Sequence, residues 1–240
     1  MTRLPDAGEI ESDPCLDNVV WISLSGPHQD LAERNGRAIR YRAEYSPLGA
    51  VSHYTAENVA AVAGMLRPTE RLDLLTLDAP PIPTGYRIVE QATIVQMIGA
   101  REYASPDDEK SIVLDKADVP DMLNLARLTH LEPFRERATE MGTFIGFREG
   151  AALVAMAGER MIAGRYVELG TLGTHPDWQR RGLARQLVEH LSAAIQRRNQ
   201  IPLVHVPAGN SPALQLYQRL EFRRARHLLL TGLVIDPDLR

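Results

Sequence analysis

The sequence predicts a mixed α/β (α+β) fold, a sandwich whose mainly antiparallel sheet is flanked by helices. Three observations predict it. An extended apolar run at 167–174 ends in a basic, glycine-bearing loop that opens directly into a helical period. Short apolar runs alternate with helical periods through the second half of the chain, an order that layers helices on a sheet. And 240 residues at 44% apolar content suffice for one large core or two modest ones.

Residues 37–42 read as a strand, 56–66 as a helix and 72–77 as a strand. The proline-rich run 78–85 must be a loop, and 86–97 reads as one or two further strands. The polar run S-P-D-D-E-K at 105–110 marks a boundary that divides the chain into 1–108 and 109–240. Beyond it, 112–114 is a strand. Asp118 is placed to cap a helix at 119–129, where Val119, Met122, Leu123, Leu125 and Ala126 are apolar. A second short helix is expected at 133–141. A hairpin follows, 143–147 and 151–158, turning at Arg148-Glu149-Gly150.

After the strand at 167–174, His175-Pro176-Asp177 makes a turn, in which His175 is read as shaping the loop. Apolar residues at Leu183, Ala184, Leu187, Val188, Leu191, Ala194 and Ile195 then mark an amphipathic helix at 183–197. Residues 201–206 read as a short buried strand and 207–209 as a loop. Ser211 is a candidate cap with Pro212 in the first turn, and 223–234 closes the sheet. Strand alternation sets Glu168, Gly170 and Leu172 on one face, opposite Val167, Leu169 and Thr171.

The loop Gln179-Arg180-Arg181-Gly182-Leu183-Ala184 combines main-chain donors, two arginines, a glycine and a helix N-terminus, which suits a pyrophosphate. Neither G-x-G-x-x-G nor G-x-x-x-x-G-K-[ST] is present there. The hexapeptide instead resembles the Q/R-x-x-G-x-G/A loop of the GNAT superfamily of acyl-CoA-dependent N-acyltransferases. Downstream, Asn210-Ser211-Pro212-Ala213-Leu214-Gln215-Leu216-Tyr217-Gln218-Arg219-Leu220-Glu221-Phe222 resembles that superfamily's N-x-x-A-x-x-L-Y-x-x-x-G-F signature. Glu221 stands where glycine is usual, so the helix must end another way or avoid left-handed backbone there.

The resemblance implies a catalytic acetyltransferase domain at 109–240. Residues 1–108 carry neither motif. Their length and element order resemble the degenerate, smaller N-terminal half of two-lobed members akin to glycine N-acyltransferase, with an unrelated accessory domain as the alternative. Acetyl-CoA (coenzyme A) is the implied co-substrate. Its pantetheine is expected between 167–174 and 203–206, on the main chain of Leu172, Gly173 and Thr174, with the thioester carbonyl near the Leu172 N–H. Gln179, Arg180, Arg181, Gly182, Leu183 and Ala184 would hold the pyrophosphate, and Asn210 the pantetheine arm.

The reaction needs a base for the amine and an acid for the departing thiolate. Tyr217, seven residues after Asn210, is the candidate acid. Glu168, eleven residues before Gln179, is the candidate base, with a water chain as the alternative. As a lone carboxylate in an apolar strand it should have a raised pKa. His130, Glu132 and Arg135 are weaker candidates for the acceptor site.

Residues 1–108 hold 9 Lys+Arg against 16 Asp+Glu, and residues 109–240 hold 18 against 15, so the basic half is the one expected to bind an anionic cofactor. No basic–aromatic cluster suggests a nucleic-acid partner. Cys15 is the single cysteine, so no intrachain disulfide can form, and the seven histidines show no metal-ligand spacing. No metal is expected. No run approaches a bilayer span, and the acidic start (Asp6, Glu9, Glu11, Asp13) is unlike a signal peptide, so the expected address is cytoplasmic with no membrane partner. The acceptor is expected to be a small-molecule or peptide amine, and a homodimer is possible. A CoA-binding regulatory or scaffold protein without turnover is the alternative function.

Overall fold

A computed structural model describes residues 6–105, 110–131 and 133–239. The polar break at 106–109 and the candidate Glu132 lie outside the described residues. In chain order the elements are α1 (Ala7–Ser12), α2 (Val19–Ser25), β1 (Ala32–Asn35), β2 (Ala38–Tyr41), β3 (Leu48–Val51), α3 (Ala56–Ala63), β4 (Leu72–Thr76) and β5 (Tyr86–Gly99). There follow β6 (Ile112–Leu114), α4 (Val119–Leu128), β7 (Phe144–Glu149), β8 (Ala152–Ala163), β9 (Tyr166–Thr174), α5 (Leu183–Arg197), β10 (Ile201–Pro207), α6 (Ser211–Arg219) and β11 (Phe222–Ile235). The strands make one sheet in the order β1-β2-β3-β4-β11-β5-β10-β9-β8-β7-β6. This is the expected mixed, mainly antiparallel sheet flanked by helices. Its parallel pairs are β3–β4 and β9–β10.

The two long strands at the centre each cross between the halves of the chain. β5, from the first half, pairs with β10 through Ile94–Ile98 and with β11 along its full length. β11, the last strand, pairs with β4 of the first half. The burial of β5 follows these neighbours: its first residues are largely exposed, and Ile94–Gly99, flanked on both sides, are buried. α5 covers one face of the sheet, with Leu187, Val188 and Leu191 packed against Val154, Ala155, Val167, Leu169, Val204 and Val206. On the other face Val19, Val20 and Leu24 of α2 join Met161, Ala163, Tyr166, Ile201 and Leu203. Each such aliphatic side chain contributes about 1.5–3 kcal/mol when fully buried, and both clusters draw residues from the two halves of the chain.

Several local expectations are corrected. The segment 133–141 is not a helix beyond the 3-10 turn Ala138–Glu140. Phe134, Ala138 and Met141 are buried at helical spacing, but the Arg137 N–H donates to the Glu44 carbonyl at 3.2 Å instead of continuing a helical ladder. Asp118 stands at the N-cap position of α4, but its side chain makes no capping bond there. It accepts from the Asp115 N–H at 2.9 Å and from Arg148 at 2.6 Å, while Asp115 caps the preceding turn. Ser211 lies inside α6, whose cap is Asn210, accepting from the Ala213 N–H at 3.1 Å. Glu221 does take up left-handed backbone, with φ 60.

The face assignment on β9 also changes. Thr171 has φ 55, and the β8–β9 register slips by one residue between Gly170 and Gly173. This bulge reverses the alternation. Leu172 therefore packs with Val167 and Leu169 on the α5 side, opposite Glu168.

Candidate active site

β9 and β10 are bonded only at their start, from Tyr166↔Ile201 to Glu168↔Leu203. Past that point the bulge at Thr171 turns β9 away, and among the described residues no strand pairs with that edge of β9. The main-chain groups of Leu172, Gly173 and Thr174 thus line a cleft into which an extended amide chain can add as a strand does. Gly173 is closely covered: a Cβ there would stand 2.5 Å from Leu131 Cδ1 and 2.9 Å from Thr129 Oγ1, so a larger residue would displace the side chains just beyond α4.

At the open end, the chain turns through Pro176–Trp178, where His175 Nδ1 accepts from the Asp177 N–H at 3.2 Å. Arg181 stacks on the Trp178 ring at 4.3 Å and donates to the Asp177 carbonyl at 3.1 Å, and Gln179 donates to the Thr174 carbonyl at 3.4 Å. Gly182, with φ 81, is the residue before α5, and no side chain caps that helix. The first-turn N–H groups therefore lack an internal acceptor, beside two exposed arginines. Both the charge and the donor geometry suit a pyrophosphate.

At the closed end, Glu168 is 1% exposed. Its Oε1 accepts from His205 Nδ1 at 2.9 Å and lies 3.6 Å from Arg160, while Oε2 is buried without a partner. Arg160 reaches it by lying across Gly170, where a Cβ would meet Arg160 Cδ at 2.2 Å. His205 Nε2 faces Gln96 Nε2 at 3.0 Å, and Gln96 Nε2 donates to the Leu16 carbonyl at 3.1 Å. The expected raised pKa of a lone carboxylate is thereby overturned. Burial pushes Glu168 up, but the Arg160 charge and the His205 bond outweigh it and hold the carboxyl below its ordinary value.

Sequence reasoning missed Arg160, His205 and Gln96. Their signal was a polar side chain set within an apolar stretch of β8, β10 and β5, which does not say which strands are neighbours.

Tyr217 is buried, its ring edge-on to Phe222 at 5.2 Å between centroids. Burial, and then the Glu168 charge, push its phenol well above the ordinary tyrosine value. Among the described residues its hydroxyl meets no hydrogen-bond partner. Asn210 spends its side-chain oxygen on the α6 cap and keeps its amide N–H groups as donors. His130 has φ 54 and ends α4, with the Leu131 N–H closing back on the Ala126 carbonyl at 2.9 Å. Among the described residues, the buried Nε of Arg135 has no partner. Among the described residues no three His, Cys, Asp or Glu side chains group as a metal site, and no helix is long and apolar enough to cross a membrane.

Residues 144–230 match the FR47-like protein family. Ribosomal protein bS18-alanine N-acetyltransferase of Salmonella typhimurium is 31% identical over 124 residues, which are 47% of this chain and 80% of that relative. The Escherichia coli K12 enzyme of the same name is 29% identical over 118 residues, 47% of this chain and 79% of its own. Among solved structures, a GNAT-family protein from Novosphingobium aromaticivorans superposes with a TM-score of 0.87 at 33% identity, covering 93% of this chain and all of that one. A GCN5-related N-acetyltransferase-like protein from Streptococcus suis, at 13% identity and a TM-score of 0.59, shares the fold over 94% of this chain and 95% of its own.

Proposed function

The chain belongs to the GNAT family of N-acetyltransferases, and we propose that it moves the acetyl group by direct transfer to a primary amine at the closed end of the β9–β10 cleft. The observation that carries this reading is the cleft itself. An uncapped, arginine-flanked helix start lies at one end, and at the other lies a buried carboxylate with one oxygen that has no partner among the described residues.

Acetyl-CoA supplies a thioester, an acyl carbon open to attack with a thiolate as the leaving group. Gln179, Arg180, Arg181, Gly182, Leu183 and Ala184 hold its pyrophosphate. The main chain of Leu172, Gly173 and Thr174 and the Asn210 amide hold its pantetheine. The Leu172 N–H is the donor for negative charge developing on the carbonyl oxygen. Glu168 Oε2 takes the proton that the attacking nitrogen sheds. A nitrogen forming its bond to carbon is strongly acidic, so a carboxylate held below its ordinary pKa still accepts that proton. Tyr217 keeps its proton at working pH and delivers it to the departing sulfur.

The first half is read as a degenerate GNAT-like lobe of the two-lobed type that the sequence resembles in glycine N-acyltransferase-like proteins, with 1–108 and 109–240 as the two units. The parallel pair β3–β4 joined by α3 mirrors β9–β10 joined by α5, about a centre where β5 and β11 lie side by side. The mirrored helix start has lost the phosphate chemistry. Thr55 caps α3 by accepting from the Asn58 N–H at 3.3 Å, and Glu57 adds a negative charge in its first turn.

Because the curated relatives act on an alanine of a ribosomal protein, a peptide with N-terminal alanine is the first acceptor to try, beside small primary amines. Thiol release from acetyl-CoA across that panel is the test. Release that depends on one class of amine assigns the acceptor, and no amine-dependent release from any member would overturn the reading.

A further inference from the structure

Gln96 belongs to the first half of the chain, yet its side chain ends in the cluster around the proposed base. The β5–β10 register sets it directly opposite His205, and it is fully buried within the apolar run Ile94–Ile98. Its amide nitrogen has two protons to place. One goes to the Leu16 carbonyl at 3.1 Å and the other points to His205 Nε2 at 3.0 Å.

The Leu16 carbonyl can only accept, so the amide cannot turn over without setting two oxygens against each other. His205 Nε2 must then be the acceptor, which leaves the ring proton on Nδ1, where it is donated to Glu168 Oε1 at 2.9 Å. A second proton on Nε2 would set N–H against N–H.

We propose that Gln96 is a positioning residue: anchored by the Leu16 carbonyl, it locks His205 as the neutral Nδ1–H tautomer, so that Glu168 is held through Oε1 and keeps Oε2 open for the amine proton. This rests on the reading of Glu168 as the base. The other polar groups facing this cluster are Arg160 from β8, Tyr217 from α6, Tyr41 from β2 and Arg226 from β11, and of these Arg160 and Arg226 bring charge. The arginines have no lone pair to offer, and among the described residues neither tyrosine hydroxyl reaches His205: Tyr41 is bonded to Ser23 and His28. That selectivity belongs to Gln96.

The test uses the full chain with 15N-labelled histidine, the His205 signals being assigned by their loss in His205→Asn. The neutral ring of the parent should carry its proton on Nδ1 and leave Nε2 bare. A neutral ring protonated on Nε2 overturns the proposal, whatever the role of Glu168. Gln96→Glu should convert His205 to an imidazolium, and the isosteric Gln96→Met should release the tautomer. Both should lower kcat on a peptide with N-terminal alanine about tenfold, with KM for acetyl-CoA unchanged. Altered ring signals with kcat unchanged in Gln96→Met would overturn the positioning role. Full activity in Glu168→Gln would instead overturn the base reading, and leaves the ring signals of the parent to be judged alone.

Discussion

The Glu168 carboxylate and the His205 imidazole meet across the parallel pair of strands, Oε1 to Nδ1 at 2.9 Å, with side chains only 2% and 7% exposed. Arg160 completes the set from the third strand. The carboxylate is therefore ionised well before neutral pH is reached, which fixes what a pH profile can contain.

Because the Glu168 pKa is held below its ordinary value, the base form is fully present above the usual carboxylate range near pH 4. No limb between pH 6 and 9 should belong to it. The rate should instead rise with the neutral fraction of the acceptor, half-way up near pH 8 and levelling near pH 9 for a peptide α-amine, and still rising there for a lysine side chain. Steady-state kcat/KM on the two peptides would check this. An identical mid-range inflection for both, lost in Glu168→Gln, would point to a base with a raised pKa. The same depression bears on stability. A carboxyl with a lowered folded pKa stabilises the fold above its unfolded pKa and loses that contribution as pH falls through the folded one, so acid unfolding of Glu168→Gln should be shallower below pH 4.

Tyr217→Phe should leave acetyl-CoA affinity unchanged and lower kcat by about 10²-fold. The ring still fills its place against Phe222, so melting temperature should barely move. Unchanged turnover at saturating substrate would leave Tyr217 as packing.

Gly182→Glu should abolish the rise in melting temperature that acetyl-CoA produces and weaken binding by at least about 100-fold. A Cβ at Gly182 meets nothing nearer than Gln186 Nε2 at 3.8 Å, so Gly182→Ala separates backbone strain at φ 81 from the added charge. If the glutamate variant binds as the parent does, the pyrophosphate lies elsewhere. Calorimetric titration of the parent with CoA should give one site per chain, since the start of α3 is already capped and acidic. Two sites would restore binding to the first half.

Glu221→Gly should stabilise the protein by about 1 kcal/mol, because left-handed backbone costs a side chain roughly that much. Its side chain is 69% exposed and lies 3.9 Å from Arg101, too weak a contact to offset the gain. The melting temperature should rise by roughly 2–4 °C.

The second half of the fold was legible because its signals are local. The 15 residues of α5 were placed to the residue by periodicity and the glycine before them, and the cleft-lining loop by its spacing. The first half was less so. α2 has seven residues, and β3 is buried at every position and so shows no alternation to read, though β2, equally buried, was read as a strand. The bulge at Thr171 lies between Gly170 and Gly173, and strand glycines signal a bulge without saying which residue takes it; it moved Leu172 to the other face. The cluster around Glu168 is assembled from strands that neighbour one another only in space. Gln96 and His205 are 109 residues apart, and no window along the chain contains both.

The exchange of β5 and β11 at the centre of the sheet also bears on how the chain is born. As residues leave the ribosome, the first half lacks β11 on the open edge of β4, and the second half must build beside a strand that has waited, unpaired on both sides, since residue 99. Such distant pairings make folding slow and leave strand edges exposed meanwhile. Synthesis of the last strand, Phe222–Ile235, is the event that closes both gaps at once. Chains truncated before it should be recognised as unfinished by chaperones and proteases, however complete their cofactor loop.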